Sequence, residues 1–190
     1  DVCRAKVRCR ILNDIISGAY DCVFIATPCN SFSIARDRQN PVRSRAYPEG
    51  LPLLSDKQQV EVKIGNMLAH FSARVVQECR RRRIPAMVEN PRHSRLWLLP
   101  QFRALLAADE CRRVNFEQCA FGAPHRKPTS LLCCHLDDNL LSRVRRSCHR
   151  DRVCFYSKIP HIVLEGGHRT KAAQAYPPRL AEEFAHLLRA

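Results

Sequence analysis

Residues 21–30, Asp-Cys-Val-Phe-Ile-Ala-Thr-Pro-Cys-Asn, decide the fold class. The first seven form a short apolar run with β-branched and aromatic members, a pattern typical of a buried strand in a parallel sheet. Pro28 ends the run. A second run, Ile84-Pro-Ala-Met-Val88, predicts another buried strand, and Glu89-Asn90-Pro91 follows it directly.

A long helix is expected between these two strands. Ser55 or Asp56 can cap its N-terminus, and apolar residues recur at steps of three and four as far as Arg83. Its last turn carries Arg80 to Arg83, which suit the negative end of the helix dipole or, in the alternative interpretation, contact phosphate. Further helices are predicted over 94–106 and from 177 to about 189, and shorter strands over 114–120 and 130–134. Because strands alternate with helices, the predicted class is α/β with a mostly parallel sheet.

Two chemically capable side chains follow the predicted strands. Ligands of parallel sheets bind beyond the carboxyl ends of the strands. Cys29 and Glu89 each come just after a strand, so we expect the fold to bring them to one crevice although they are far apart in sequence. The alternatives are an ordinary buried thiol at position 29 and a helix cap at position 89.

The composition favours a polyanionic partner. Lys and Arg number 32 against 18 Asp and Glu, a formal charge of +14, which favours nucleic acid first and acidic lipid second. A basic but solvated surface is the alternative. Hydrophobic residues make up 45% of the chain, enough for a buried core, and no apolar run approaches the roughly 18 residues of a membrane span. A membrane partner is therefore not expected.

The eleven cysteines predict a reducing environment. Their number is odd, their spacing is not that of a secreted scaffold, and several, such as Cys22 and Cys79, lie in apolar patterns. We expect an intracellular protein of the nucleus or cytoplasm. The first ten residues lack the apolar region of a signal peptide, and they also lack an initiator Met, so a processed, trimmed or partial chain is expected.

Four short segments occur in an order that resembles the cytosine-5 DNA methyltransferase family. They are Thr27-Pro28-Cys29-Asn30-Ser31-Phe32-Ser33, Glu89-Asn90-Pro91, Phe121-Gly122-Ala123-Pro124-His125-Arg126-Lys127 and Gln174-Ala175-Tyr176-Pro177-Pro178-Arg179-Leu180-Ala181. The family has a Pro-Cys nucleophile loop followed by Phe-Ser, then Glu-Asn-Val, then Gly-x-Pro-Gln with arginines, and finally Asn-x-x-Pro-Pro-x-Leu-Ala. The resemblance covers most of residues 11–190 and implies a partial doubly wound, Rossmann-like methyltransferase sheet with a small Cys/His-rich insert.

The resemblance implies a cytosine-5 methyltransferase that uses S-adenosylmethionine on DNA or RNA. Cys29 would add to carbon 6 of cytosine, because a thiolate is a strong nucleophile, and carbon 5 would then accept the methyl group. Glu89 would hydrogen-bond N3 and the exocyclic amine, and Arg126 or Lys127 would stabilise charge near the base oxygen. The target base must leave the duplex stack, which costs a few kcal/mol.

The same resemblance implies binding residues for the cofactor and the nucleic acid. Asp14 resembles the family's adenine-contacting Asp, Pro28, Phe32 and Ser33 would lie near the methionine end, and Gln174 stands where the family usually has Asn. The candidate nucleic-acid contacts lie in two basic stretches, Arg36, Arg38, Arg43 and Arg45 in one and Arg143, Arg145 and Arg146 in the other. Solvated basic loops are the alternative.

The chain departs from the family in one large feature. The family begins with a Phe-x-Gly-x-Gly loop that holds the cofactor, whereas this chain has six glycines and no Gly-x-Gly. Smaller departures are His125 for Gln, Pro128 or Thr129 for a second Arg, and Pro91 for Val. Activity is therefore left open, and a catalytically inactive nucleic-acid-binding relative is the alternative function.

A Cys/His-rich stretch lies outside the four segments. We expect a core at 1–135, a short basic insert at 136–161, and a C-terminal strand and helix at 162–190. Cys148, Cys154 and His161 are the best candidates for a tetrahedral zinc ion, with Cys134 or His135 as the fourth ligand. Since no CxxC pair is present, scattered reduced thiols are the alternative. Zinc would staple a segment too short to form its own core, and a zinc-stapled interaction module unrelated to methyltransferases is the third functional hypothesis.

Overall fold

The computed structural model describes residues 1–37, 39–149, 152–164 and 167–189. Within them lie six helices and four strands. The helices are α1 (Ala5–Ile16), α2 (Asp56–Arg81), α3 (Pro100–Leu106), α4 (Asp138–Val144), α5 (Gly167–Ala172) and α6 (Pro178–Arg189). The strands are β1 (Val23–Ala26), β2 (Ala86–Pro91), β3 (Cys111–Glu117) and β4 (Pro128–Cys134). The predicted α/β class is confirmed.

The strands form one mixed sheet in the order β1-β2-β4-β3. β1 and β2 are parallel, with Val23 opposite Ala86 and Ala26 opposite Glu89. The expectation of a mostly parallel sheet is met by this pair and not by the sheet as a whole. The reason lies in the connections: only residues 118–127 join β3 to β4, fewer than the dozen or more that a parallel crossover needs.

α2 is the long helix that the apolar spacing predicts. It begins after Ser55, whose backbone N–H donates to Gln58 Oε1 at 2.9 Å, as in a capping box. Its buried side chains include Ala69, Ala73 and Val76, which recur at helical spacing and face the core.

Two helical segments differ from the expectation. The helix predicted over 94–106 is a 3-10 turn at Arg95–Leu98 followed by α3, because Pro100 lacks an N–H and starts a new helix in its first turn. No element is predicted before residue 21, yet α1 forms there. Ile15 of α1 is buried, and Ile11 and Leu12 pack against the core, so the helix has an apolar face at helical spacing that the prediction missed.

The chain divides into two compact units. Unit 1 comprises Asp1–Arg113 and Leu131–His135, and its core is built around residues such as Phe32, Val76, Leu99 and Phe102. Unit 2 comprises Val114–Ser130 and Leu136–Ala190. In unit 2, the ring centroid of Phe116 lies 5.7 Å from that of Phe121 and 6.2 Å from that of Phe184, both edge to face.

The C-terminal segment differs from the expected strand and helix. The described residues between 162 and 189 form α5 and α6, with no strand among them. Ile162 instead donates its N–H to the carbonyl of Pro124 at 2.9 Å, so this stretch follows a loop rather than a strand ladder. No described helix combines the length and the apolar character needed to cross a membrane.

Candidate functional site

The carboxyl ends of β1 and β2 are held together by direct hydrogen bonds. Ala26 and Glu89 are partners across the strand pair. The Asn90 side chain donates to the carbonyl of Thr27 at 2.7 Å, and the Thr27 hydroxyl donates to Ser72 of α2 at 2.9 Å. Glu89 therefore lies inside β2, which extends to Pro91, and not after the strand as the sequence predicts, whereas Cys29 follows the end of β1. That the two side chains share one crevice stays a prediction.

The loop after β1 is a tight turn built on Cys29. The Cys29 carbonyl accepts hydrogen bonds from the N–H of Phe32 at 3.0 Å and of Ser33 at 2.9 Å. The Phe32 carbonyl in turn accepts from the N–H of Arg95 at 2.9 Å, beyond β2. Cys29 is partly exposed, whereas Glu89 is only 8% exposed. A thiol that a ligand can reach therefore lies at the same sheet edge as a nearly buried carboxyl group.

Arg43 is an internal support for this loop. It is 2% exposed, and its guanidinium lies 3.8 Å from the centroid of the Phe32 ring. It donates to the carbonyl and hydroxyl of Ser31 at 3.1 and 3.0 Å and to Asn66 Oδ1 at 2.7 Å. Burial lowers the pKa of Arg43 to about 10, which leaves it protonated at neutral pH. The prediction that Arg43 contacts phosphate is therefore wrong.

The other arginines predicted in this loop differ in exposure. Arg36 forms an ion pair with Glu61 of α2. Arg45 is exposed and remains a candidate for phosphate contact. Arg38 lies outside the described residues.

The predicted cofactor residues differ in burial and in their hydrogen bonds. Phe32 is fully buried beneath Arg43, so its assignment as a cofactor contact is wrong. Asp14 lies in the last turn of α1 and accepts a hydrogen bond from the Tyr20 hydroxyl at 3.1 Å. Ser33 Oγ accepts from the N–H of Ala35 at 3.2 Å and caps a short 3-10 turn.

The other predicted cofactor residues lie at the surface. Pro28 of unit 1 and Gln174 of unit 2 are exposed. A groove of about 1030 Å³ lies along α1 and α2, and its described lining includes none of Asp14, Pro28, Phe32 and Ser33. S-adenosylmethionine as the cofactor stays a prediction.

Unit 2 contains a compact cluster of three thiols and an imidazole. The ligand atoms of Cys119, Cys148, Cys154 and His161 all lie within 4.8 Å of one another, and Cys148 Sγ is 3.8 Å from His161 Nε2. A tetrahedral site with metal–sulfur distances near 2.3 Å has ligand–ligand edges of roughly 3.6–3.8 Å. The three cysteines are buried together. This Cys3His cluster could hold a metal ion.

Each ligand of the cluster is positioned by its own piece of backbone. Cys119 lies in the 3-10 turn that follows β3. Cys148 donates its N–H to Glu117 Oε2 at 2.9 Å. Cys154 and His161 belong to residues 152–163, which we call the knuckle. Its backbone folds back on itself through bonds from Cys154 N–H to Ile159 O at 2.9 Å and from His161 N–H to Arg152 O at 2.7 Å.

The electrostatics of the cluster favour a cation at its centre. Burial by itself would raise the pKa of the Cys154 thiol, but hydrogen bonds from Ser157, from the N–H of Tyr156 and from His161 outweigh it and lower that pKa to about 6. Burial and the neighbouring thiols Cys148 and Cys154 raise the pKa of Cys119. Three sulfurs that repel one another as anions are stabilised together by a bound dication.

The structure corrects the predicted ligand set at one position. Cys148, Cys154 and His161 come together as predicted, but Cys134 belongs to unit 1, where its Sγ lies 3.1 Å from that of Cys111. β4 buries Cys134 beside the neighbouring strand β3, so it is wrong as the fourth ligand. The alternative fourth ligand, His135, also belongs to unit 1, and its Nε2 lies 2.9 Å from the carbonyl oxygen of Arg80.

Two functional residues were missed in the sequence. Cys119 completes the cluster, and Glu117 supports it by accepting the Cys148 N–H and by lying 3.5 Å from the guanidinium of Arg126. The sequence carried no signal for Cys119, because it falls inside the strand predicted over 114–120. In the structure the strand ends earlier, and Cys119 lies in the turn before Gly122, whose φ is 95°.

The remaining predicted basic residues lie in unit 2. Lys127 Nζ donates to the carbonyl of Ala173 at 2.5 Å, and Arg143 pairs with Glu183 at 2.8 Å. Arg146 also approaches Glu183, at 3.9 Å. Arg145 is exposed. The predicted roles of Arg126 and Lys127 at the base, and of these arginines at phosphates, stay predictions.

Comparison of the chain with models of protein families, with curated proteins and with solved structures finds no match. The methyltransferase resemblance therefore depends on the four sequence segments and on the geometry of the sheet edge.

Proposed function

We propose that this chain is a cytosine-binding segment of the cytosine-5 methyltransferase type, with a partial Rossmann-like sheet, and that it acts on nucleic acid, DNA foremost. One observation supports the proposal: Ala26, three residues before Cys29, is the ladder partner of Glu89, and the next residue, Asn90, donates to the carbonyl of Thr27. Parallel sheets bind their ligands at the carboxyl ends of their strands.

The chemistry of these two groups suits cytosine. The Cys29 thiolate forms a bond to carbon 6, and the electron pair of the 5,6 double bond moves to carbon 5. Glu89 holds the hydrogen-bonding edge of the base and stabilises the adduct. Carbon 5 then takes a proton, and loss of a proton from carbon 5 with departure of the thiolate restores cytosine. S-adenosylmethionine as methyl donor stays a prediction.

An oligonucleotide that carries a single 5-azacytosine tests the thiol directly, without a methyl donor. The ring nitrogen at position 5 makes carbon 6 electrophilic, so the thiolate adds there and the nitrogen takes up the proton. We expect a covalent complex on a denaturing gel, with the adduct mapped to Cys29 by mass spectrometry. Cys29→Ser should form no complex, whereas Cys22→Ser, at another partly exposed cysteine of unit 1, should behave as the parent chain does.

The carboxyl group is tested in the same assay. Glu89→Gln should lower the rate of adduct formation at least about tenfold, because it weakens the hydrogen bonding that stabilises the adduct. A chain that binds the oligonucleotide but gives no adduct at Cys29 would support the alternative, a catalytically inactive nucleic-acid-binding relative. The burial of Phe32, a predicted cofactor contact, favours that alternative.

We also propose that the Cys3His cluster of unit 2 binds zinc. Three thiolates and an imidazole are a ligand set that zinc prefers, and four protein ligands leave no open position, so the ion is structural. We expect one zinc ion per purified chain by elemental analysis and, after exchange, the intense visible absorption of tetrahedral cobalt bound to thiolates. A chain that takes up neither ion would contradict this assignment.

A further inference from the structure

The knuckle carries a cluster of exposed apolar side chains. Phe155, Tyr156 and Ile159 are 46%, 39% and 64% exposed, and Val153, Ile162 and Val163 are also exposed. Apolar side chains gathered on one short turn usually mark a binding surface. The function proposed for Cys29 makes no use of them.

The two aromatic rings of the knuckle are held in fixed positions. Their centroids are 5.3 Å apart and their planes meet at 89°. The Tyr156 hydroxyl donates to the carbonyl of Ser147 at 3.0 Å, and the Phe155 N–H donates to Cys148 Sγ at 3.4 Å. Because the second bond ends on a proposed metal ligand, a bound ion would also hold the knuckle backbone at Phe155. Rigid aromatic side chains bind at a low cost in conformational entropy.

A cation lies over one of the rings, and the sequence around them is basic. Lys158 Nζ lies 4.5 Å from the centroid of the Phe155 ring and donates to the Phe155 carbonyl at 2.6 Å. The sequence from 143 to 163 contains six Lys and Arg residues and a single acidic residue, Asp151. This charge complements a phosphate backbone. Flat rings next to cations are the combination by which proteins bind stacked bases and the phosphates between them.

We propose that the knuckle binds single-stranded nucleic acid, with bases stacked on Phe155 and Tyr156 and phosphates contacted by Arg152 and Lys158. The inference rests on the proposed zinc site, which holds the turn, and on nucleic acid as the partner. It does not depend on Cys29. Every base has a flat face that can stack on an aromatic ring, so this surface should bind many sequences. It would place unpaired nucleotides on unit 2.

The test measures binding of a fluorescent single-stranded oligonucleotide to the zinc-loaded full chain by anisotropy. Phe155→Ala and Tyr156→Ala should each weaken binding about tenfold, with the zinc content unchanged. Phe155→Tyr and Tyr156→Phe keep the rings and should keep most of the affinity. Ile64→Ala, at an exposed apolar residue of α2 in unit 1, is the matched control and should have no effect.

Salt dependence separates phosphate contact from stacking. Arg152→Ala and Lys158→Ala should each reduce the slope of log affinity against log salt by roughly 0.7, the value for one contact on a single strand. Phe155→Ala should weaken binding without changing that slope.

Two results would overturn the proposal. One is oligonucleotide binding that is unchanged in both aromatic-to-alanine variants. The other is that these variants still bind the oligonucleotide but no longer bind anionic phospholipid vesicles. The knuckle would then be a membrane-docking surface. Neither result bears on Cys29, since the 5-azacytosine adduct at saturating DNA is expected in Phe155→Ala as in the parent chain.

Discussion

Arg43 shows at the scale of a single residue how a charge can serve structure rather than recognition. Its side chain fills the space between the turn at Cys29 and helix α2, where it meets the acceptors of Ser31, Val62 and Asn66. An arginine buried in this way satisfies carbonyls that water cannot reach. The geometry of the proposed nucleophile loop therefore depends on a cation that never meets a ligand.

Arg43→Ala should lower the free energy of unfolding of unit 1 by at least about 3 kcal/mol, because several buried acceptors lose their donor at about 1–3 kcal/mol each. Arg45→Ala, at an exposed position of the same loop, should change it by no more than about 0.5 kcal/mol. Urea unfolding followed by Trp97 fluorescence reports on unit 1, since the only tryptophan of the chain lies in its core. Equal stability of the two variants would show that the buried hydrogen bonds contribute little.

The metal ligands give a second prediction at this scale. Cys119→Ser should weaken zinc binding by more than about 100-fold, since the loss of a ligand exceeds the 10–100-fold effect of changing a residue that only hydrogen-bonds a ligand. Cys134→Ser should leave the affinity unchanged and destabilise unit 1 by about 1–3 kcal/mol, because it places a hydroxyl in the core. Competition with a chromophoric chelator measures the zinc affinity of both variants. Loss of zinc from Cys134→Ser and not from Cys119→Ser would restore Cys134 as the fourth ligand.

Three of the four ligands could be predicted from the sequence because Cys148, Cys154 and His161 lie in one short basic stretch. The fourth could not be predicted, since Cys119 and Cys134 are both buried cysteines near the ends of strands. Which of them meets the others depends on the path of the chain after β3. Spacing along the sequence carries no information about that path.

At the scale of elements, helix α2 and the turn after β1 fit together at a glycine. A methyl group added at Gly65 would lie 2.5 Å from Ser31 Oγ and 2.9 Å from the Arg43 guanidinium. The close approach of the turn to the helix therefore requires that position 65 has no side chain. An internal glycine makes helix formation less favourable by about 1 kcal/mol relative to alanine.

Gly65→Ala tests this contact. Helix propensity alone predicts a gain of about 1 kcal/mol, but the clash with Ser31 should reverse the sign and give a net loss of about 1–2 kcal/mol. Val60→Ala, at an exposed position of the same helix, serves as the control and should be neutral or slightly stabilising. The 5-azacytosine adduct should also form more slowly in Gly65→Ala, because the turn that carries Cys29 is displaced. Stabilisation by Gly65→Ala would mean that the turn gives way easily.

The strands and the long helix with strong apolar periodicity could be predicted from the sequence, whereas the order and direction of the strands in the sheet could not. β1, β2 and α2 have strong apolar patterns. That Ala26 lies opposite Glu89 follows from the parallel pairing of β1 with β2. α1 was missed although Ile11, Leu12 and Ile15 recur at helical spacing and pack on the core. The mixed sheet escaped prediction because strand order and direction are set by the length of connections and not by the composition of the strands.

At the scale of the whole molecule, the two units differ in what stabilises them. Unit 1 has an extensive apolar core from α2, α3 and the strands, as expected for a self-supporting fold. The knuckle of unit 2 instead presents several apolar side chains to solvent and buries Cys154 against the other two thiols of the cluster. Short segments of this kind need a metal to supply the stability that a core would give. The folding of the knuckle should therefore depend on metal in a way that the folding of α2 does not.

Removal of zinc with a strong chelator, followed by hydrogen exchange, tests this difference. The amides of Cys154, Lys158 and His161 form the bonds that close the knuckle, so their protection should fall up to about 1,000-fold, the factor by which free metal at 1,000 times its Kd stabilises a site. Amides of α2 should keep their protection in the same sample. Cys119→Ser without chelator should give the same exchange pattern as the chelated parent chain. Knuckle amides that stay protected after chelation would mean that the thiols pack as an ordinary apolar cluster. Uniform loss of protection in both units would mean that the metal stabilises the entire chain and not the knuckle alone.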